Sequence, residues 1–180
     1  AAAGIATVET HPAVGMTFGM FSAGSPLVLP GDQRTEEAYS AVFTSAVYPD
    51  CTDEACNKLK LDAEATSKTK ARVYTSLLYR HWTEWQGARR SHLFSVPLAG
   101  GAPKDLTPGN RDVPPFSLGG PDDYAISPDS KEVCFVMNGD DTLATSTNSD
   151  LFTVPIEGGE IKKLTLNTGA DNSPQYSPDG

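Results

Sequence analysis

Apolar residues in this chain come in short runs closed by turn residues, the grammar of strands. The clearest run is Leu93-Phe-Ser-Val-Pro-Leu98, followed by Gly100-Gly101 and then Lys104-Asp-Leu-Thr107, which predicts a β-hairpin. The same grammar returns in Asp150-Leu-Phe-Thr-Val-Pro-Ile-Glu-Gly-Gly159 and Leu164-Thr165. Pro97 and Pro155 hold the same place in both runs. Neither can donate to a ladder, so both strands are expected at an outer sheet edge. A Ser-Pro-Asp turn follows each hairpin, at Ser127–Ser130 and Ser177–Gly180. Its last position is serine in one copy and glycine in the other, which implies that a positive φ is not required there. Glu132–Met137 then reads as a buried inner strand, and Ala41–Val47 as another.

One stretch departs from this pattern. Residues 52–78 are rich in Ala, Lys and Glu and predict a helix, capped by Asp50 or Thr52, with Asp53 and Glu54 at its positive end. Its few apolar positions, among them Leu59 and Leu61, imply a helix that projects from the sheets or lies loosely on them. Arg80-His-Trp-Thr-Glu-Trp85 is expected to return to strand, with Arg80, Trp82 and Glu84 on one face and His81 and Trp85 on the other. Residues 138–149 form a polar loop.

The first halves of the two cassettes lie 58 residues apart and the second halves 50 apart, the difference falling in the loop between Pro108 and Tyr124. A period near 50 with strand–turn–strand units predicts an all-β fold, a partial β-propeller. At ~45–50 residues a blade, the 180 residues hold about three blades, against 4 to 8 in a closed ring. Residues 41–180 are assigned to blades with the helical insertion at 52–78. Residues 1–40 stand apart as an N-terminal segment or a degenerate blade. The chain ends inside a turn, so a fragment is expected.

These residues carry a family resemblance. The Ser-Pro-Asp-Gly turn and the Leu-Phe-x-Val-Pro-x-x-Gly-Gly hairpin resemble propellers of the Tol-Pal type and of the prolyl oligopeptidase family. Val47-Tyr-Pro-Asp-Cys51, Tyr79-Arg-His-Trp-Thr-Glu-Trp85, Phe116-Ser-Leu-Gly-Gly-Pro-Asp-Asp-Tyr124 and Ala170-Asp-Asn-Ser-Pro174 are similar to bacterial acylaminoacyl- or dipeptidyl-peptidase members of that family. The resemblance covers roughly residues 41–180. It implies a propeller that gates and positions short peptides for a C-terminal α/β-hydrolase domain absent from this chain, in a periplasmic or secreted serine peptidase, with a cytoplasmic place as the alternative. It also implies that Glu36 and Glu37 resemble the paired glutamates that hold a substrate's N-terminal ammonium. The competing reading is a non-enzymatic, Tol-Pal-like periplasmic scaffold that binds proteins. Unclosed blades would also expose strand edges and favour self-association.

Composition narrows the chemistry. Apolar content is 38%, and 14 Pro with 16 Gly suit many turns. A net charge of −9 argues against nucleic acid and anionic membrane surfaces as partners. No run is long enough for a transmembrane helix, and no cofactor motif is present. A serine hydrolase needs a G-x-S-x-G elbow and then Asp and His. Ser22 in Gly19-Met-Phe-Ser-Ala-Gly24 has its upstream glycine one residue too far away, and His11, His81 and His92 do not follow in the required order. No catalytic residue is therefore assigned. Arg80, His81, Trp82, Glu84 and Trp85 form the densest polar–aromatic cluster, read either as packing between blades or as a substrate-cavity lining that adds Arg80, His81, Trp82 and Trp85 to Glu36 and Glu37. Cys51 and Cys56 are spaced for a local disulfide in an oxidising compartment, and without a further Cys pair or His at ligand spacing they do not define a metal site. Cys134 reads as a buried small hydrophobe. Asp122-Asp123 and Asp140-Asp141 lack calcium-loop spacing.

Overall fold

The computed structural model describes residues 40–97, 100–116 and 123–180. It is mostly β, with one α-helix and three separate antiparallel sheets, none of which closes on itself among these residues. The first sheet joins β1 (Ser40–Val47), β4 (Arg90–Pro97) and β5 (Lys104–Asp105) in the order β1-β4-β5. A two-stranded hairpin holds β2 (Arg80–His81) and β3 (Glu84–Trp85). The last sheet runs β6 (Tyr124–Ile126), β7 (Glu132–Met137), β8 (Asp150–Pro155) and β9 (Lys162–Lys163) in chain order.

The sequence repeat is a structural repeat. Phe43 faces Phe94 across β1 and β4, and Phe135 faces Phe152 across β7 and β8, with ring centroids 5.7 and 5.8 Å apart. Thr107 Oγ1 accepts from Leu93 N and Thr165 Oγ1 from Leu151 N. Leu106 N donates to Leu93 O and Leu164 N to Leu151 O. The correspondence continues to Val113 N→Ser91 O and Asp171 N→Ser149 O, so the longer connection in the first copy begins only after Val113.

Residues facing one another across a ladder share a sheet face, which fixes how the two sheets meet. Val42 and Leu93 lie on the face of the first sheet opposite to Phe43 and Phe94. They join one buried cluster with Val133, Phe135, Phe152 and Val154, the phenylalanine face of the second sheet. Successive units thus stack back to front, each presenting a different face to its neighbour. Ser95 Oγ donates to Ile156 O at 2.8 Å and Lys104 Nζ to Glu157 O across the same junction. Side chains such as Leu93, Phe135 and Val154, at 0% exposure, each contribute about 1.5–3 kcal/mol by burial.

Four expectations are corrected. β4 and β8 each pair on both sides, so Pro97 and Pro155 do not mark outer edge strands. They stand at the last residue of each strand, where Gly100 N and Gly158 N turn back to their carbonyls and no ladder donor is needed. Ser130 adopts φ 59° and Gly180 φ 98°, so the turn does impose a positive φ and serine bears it. The helix α1 spans only Glu54–Thr66, capped by Asp53, whose Oδ1 accepts from Cys56 N at 2.7 Å. It ends where Thr66 and Ser67 offer hydroxyls that compete for the backbone: Thr66 Oγ1 donates to Asp62 O, and Ser67 Oγ accepts from Thr69 N. Residues 80–85 are a hairpin rather than one strand, because Trp82 takes φ 51° in the turn and Arg80 pairs with Trp85. Cys134 is buried and free, its thiol pushed up to about 11 chiefly by that burial.

Candidate functional site

The helix and the small hairpin, two elements outside the repeat, frame a wide cleft. α1 is fastened to the end of β1 by Tyr48, itself buried. Its backbone N donates to Asn57 Oδ1 at 2.8 Å and its hydroxyl to Glu64 Oε2 at 2.8 Å. Burial, followed by the nearby Glu64 carboxylate, raises the Tyr48 pKa, which keeps the hydroxyl a donor. A Cys51–Cys56 disulfide ties the loop entering the helix to its first turn. Lys60 also bonds Asp50 on that loop.

Across from the helix, β2–β3 is extended by Gln86 N→Tyr79 O at 3.0 Å. Trp85 lies at the centre of a ring cluster, 5.8 Å from Tyr74 and 6.2 Å from Tyr79, which are 5.1 Å from each other. The Arg72 and Arg80 guanidiniums sit 5.8 and 5.4 Å from the same indole centroid, a cation–π arrangement from two directions in sequence.

A cleft of about 690 Å³ opens between these parts, its wall including Glu64, Arg72, Tyr74, Trp85, Arg89 and Asp112. Asp112 anchors the floor: its Oδ1 accepts from Ser91 N at 2.9 Å, its Oδ2 from Gln86 Nε2 at 2.7 Å, and Arg90 Nε stands 3.9 Å away. Burial nonetheless raises its pKa, only partly offset by these donors and Arg90.

The structure brings Arg80 and Trp85 into one cluster. His81 and Trp82 touch edge to face at 6.1 Å but do not line the cleft, and Trp82 is 83% exposed at the hairpin tip. Glu36, Glu37 and Ser22 lie outside the described residues. His92 is 1% exposed, with Nδ1 2.6 Å from Asp105 Oδ2 and Nε2 donating to Gly109 O at 2.9 Å, so both ring nitrogens are committed to structure. Among the described residues no three His, Cys, Asp or Glu side chains gather as a metal site. The cleft residues Arg72, Arg89, Arg90 and Asp112 were not singled out by motif. One signal was there to find: five of the six arginines of this acidic chain fall between positions 72 and 111.

Comparison with known proteins points to peptidases. The chain is 32% identical over 189 aligned positions to a probable dipeptidyl-peptidase 5 of Trichophyton verrucosum, covering 92% of this chain and 24% of that protein. It is 33% identical over 134 positions to dipeptidyl-peptidase 5 of Arthroderma otae (62% and 18%) and 34% identical over 121 positions to that of Porphyromonas endodontalis (63% and 17%). The chain therefore spans a quarter or less of the length of these curated relatives. No family model matches it.

Proposed function

We propose that this chain is the substrate-gating propeller region of a serine peptidase of the prolyl oligopeptidase family, releasing dipeptides from short peptides with catalytic residues that lie beyond it. The back-to-front stacking of its two repeat sheets carries the reading. A head-to-tail interface repeats around a ring, whereas a face packed on its own copy would stop at two units. The phenylalanine face of the first sheet, where Phe94 and Val96 are half-buried, is then a surface that a further blade covers. Likeness to proteins named dipeptidyl-peptidase over 92% of the chain, but only 24% of one relative, supports a larger enzyme around this region.

In this reading a C-terminal α/β-hydrolase domain supplies the nucleophile, and the cleft lined by Trp85, whose indole Arg80 also contacts, faces the peptide path. Glu36 and Glu37 supply carboxylates for the peptide's ammonium group. The Cys51–Cys56 bond suits export to an oxidising compartment, periplasmic or secreted.

The test is turnover of fluorogenic dipeptidyl substrates by the complete protein that contains these residues. Activity abolished by a serine-directed inhibitor, with none in the 180-residue chain alone, is the expected result. Turnover by the chain alone would overturn the assignment of catalysis to another domain. A complete protein without peptidase activity would overturn the family reading.

A further inference from the structure

We infer that the cleft between α1 and the 86–91 loop takes the carboxylate of a bound peptide against the Arg72–Trp85–Tyr74 wall, so that acidic or free-acid peptides are the preferred substrate class. This rests on the peptide-handling role proposed above and deepens it.

The argument is an account of which charges and donors in the cleft are already committed. Glu64 is committed to the Tyr48 hydroxyl, and Asp112 to Ser91, Gln86 and Arg90. Arg72 and Arg89 form no ion pair with a carboxylate among the described residues. The Tyr74 hydroxyl is shielded from solvent and lacks a hydrogen-bond partner among them. Glu84 is the one cleft carboxylate left without a partner there, so the unpaired charges of the cleft are two cations against one anion.

Arg72 shares the Trp85 ring with Arg80, which holds two positive charges near one indole although the whole chain is at −9. Like charges held close repel one another, and a guanidinium already oriented by an aromatic plane presents its N–H fork to a carboxylate at little further entropic cost. A carboxylate in the cleft would therefore relieve the repulsion and pair with the Arg72 and Arg89 guanidiniums together. The alternative, that the arginines only stiffen the aromatic cluster, predicts no preference for anions.

The test measures binding rather than turnover, using quenching of Trp82 and Trp85 fluorescence together with calorimetry on the purified chain. Three peptides are compared: Gly-Phe-Ala-Ala as the free acid, the same sequence as its C-terminal amide, and the amide with glutamate replacing its last residue. The free acid is expected to bind about tenfold tighter than the plain amide, the worth of one charge-assisted contact. The glutamate amide tells whether a side-chain carboxylate serves as well as a terminal one. Arg72→Gln, at an exposed position, and Arg89→Gln, at a half-buried one, are expected to erase the preference, with a cooperative thermal transition showing that each variant remains folded.

Equal binding of acid and amide by the parent chain, no binding of any of the three, or a preference that survives both substitutions would overturn the inference. The fluorogenic dipeptidyl substrates carry no free carboxylate, so their turnover by the complete protein judges the peptidase reading independently.

Discussion

The two repeat hairpins fold alike and place the carboxylate of a cross-strand polar pair on opposite strands. In the first, His92 on β4 meets Asp105 on β5. In the second, the matching positions are Asp150 on β8 and Lys163 on β9, with Lys163 Nζ 2.7 Å from Asp150 Oδ2 as an ion pair rather than an aligned hydrogen bond. The central-strand partner is buried in both, His92 at 1% and Asp150 at 0% exposure. The fold therefore specifies a polar pair across the two strands, its central-strand member buried, but not which strand carries the carboxylate. Both nitrogens of His92 face oxygens, Asp105 Oδ2 and Gly109 O, so the ring fills on the central strand of the first unit the place that the Asp150 carboxylate fills in the second.

Breaking a pair should cost most. Lys163→Met leaves Asp150 buried without its partner and is expected to lower stability by about 3–5 kcal/mol, read by chemical denaturation. The double exchange His92→Asp with Asp105→Lys rebuilds the second unit's pair inside the first. It should be more stable than either single exchange, and a double-mutant cycle without positive coupling would show that the two sites are not equivalent.

The hydroxyl that accepts from the strand backbone comes next. Thr107→Val strands the fully buried Leu93 N–H and should cost about 1–3 kcal/mol, whereas Thr165→Val, where the bond is part-buried, should cost less. Equal losses would mean that burial does not set the difference.

The turns give a smaller effect of opposite sign. Ser130 holds a left-handed backbone that the second copy gives to Gly180, so Ser130→Gly should raise stability by about 0.5–1 kcal/mol. A lower Tm would show that the serine side chain stabilises the turn beyond its strain.

The smallest effect concerns acid. Asp129, bonded by Lys131 and Ser127, has its pKa lowered to about 2, and Asp179, bonded by Ser177, is lowered as well. A depressed carboxylate stabilises the fold above its unfolded pKa and loses that contribution as pH falls through the folded value. The Asp129 contribution should therefore fade between about pH 4 and pH 2, and Lys131→Ala should move its NMR titration midpoint back up.

The repeat was legible because each of its marks is local. Gly-Gly after a proline, Thr at the hairpin's end and Ser-Pro-Asp in the turn act within a few residues of themselves, so the hairpins, β7 and β1 could be placed from sequence alone. The helix was legible in kind but not in extent, because good helix formers such as Lys68 and Lys70 lie beyond the competing hydroxyls of Thr66 and Ser67. The hairpin at residues 80–85 was missed because its turn carries Trp82-Thr83 in place of Asn or Gly, and tertiary context there outweighs turn propensity. Arg80 and Trp85 were singled out by residue type. Arg72, Arg89 and Asp112 were not, since a cleft between segments 20 to 40 residues apart has no period or motif.

By itself the sequence determined the strands, their turns, the 58-residue correspondence and the acidic balance, because alternation and turn chemistry are properties of neighbours in the chain. Only the tertiary structure decided that Pro97 and Pro155 end central strands, that Ser130 carries a positive φ, and that the two sheets stack back to front. It also decided that the Trp85 indole is shared by Arg72 and Arg80. Each of these depends on which face of one element meets which face of another. That choice is made by the free energy of burying Leu93, Phe135 and Val154 together, a sum over distant residues that no local stretch encodes.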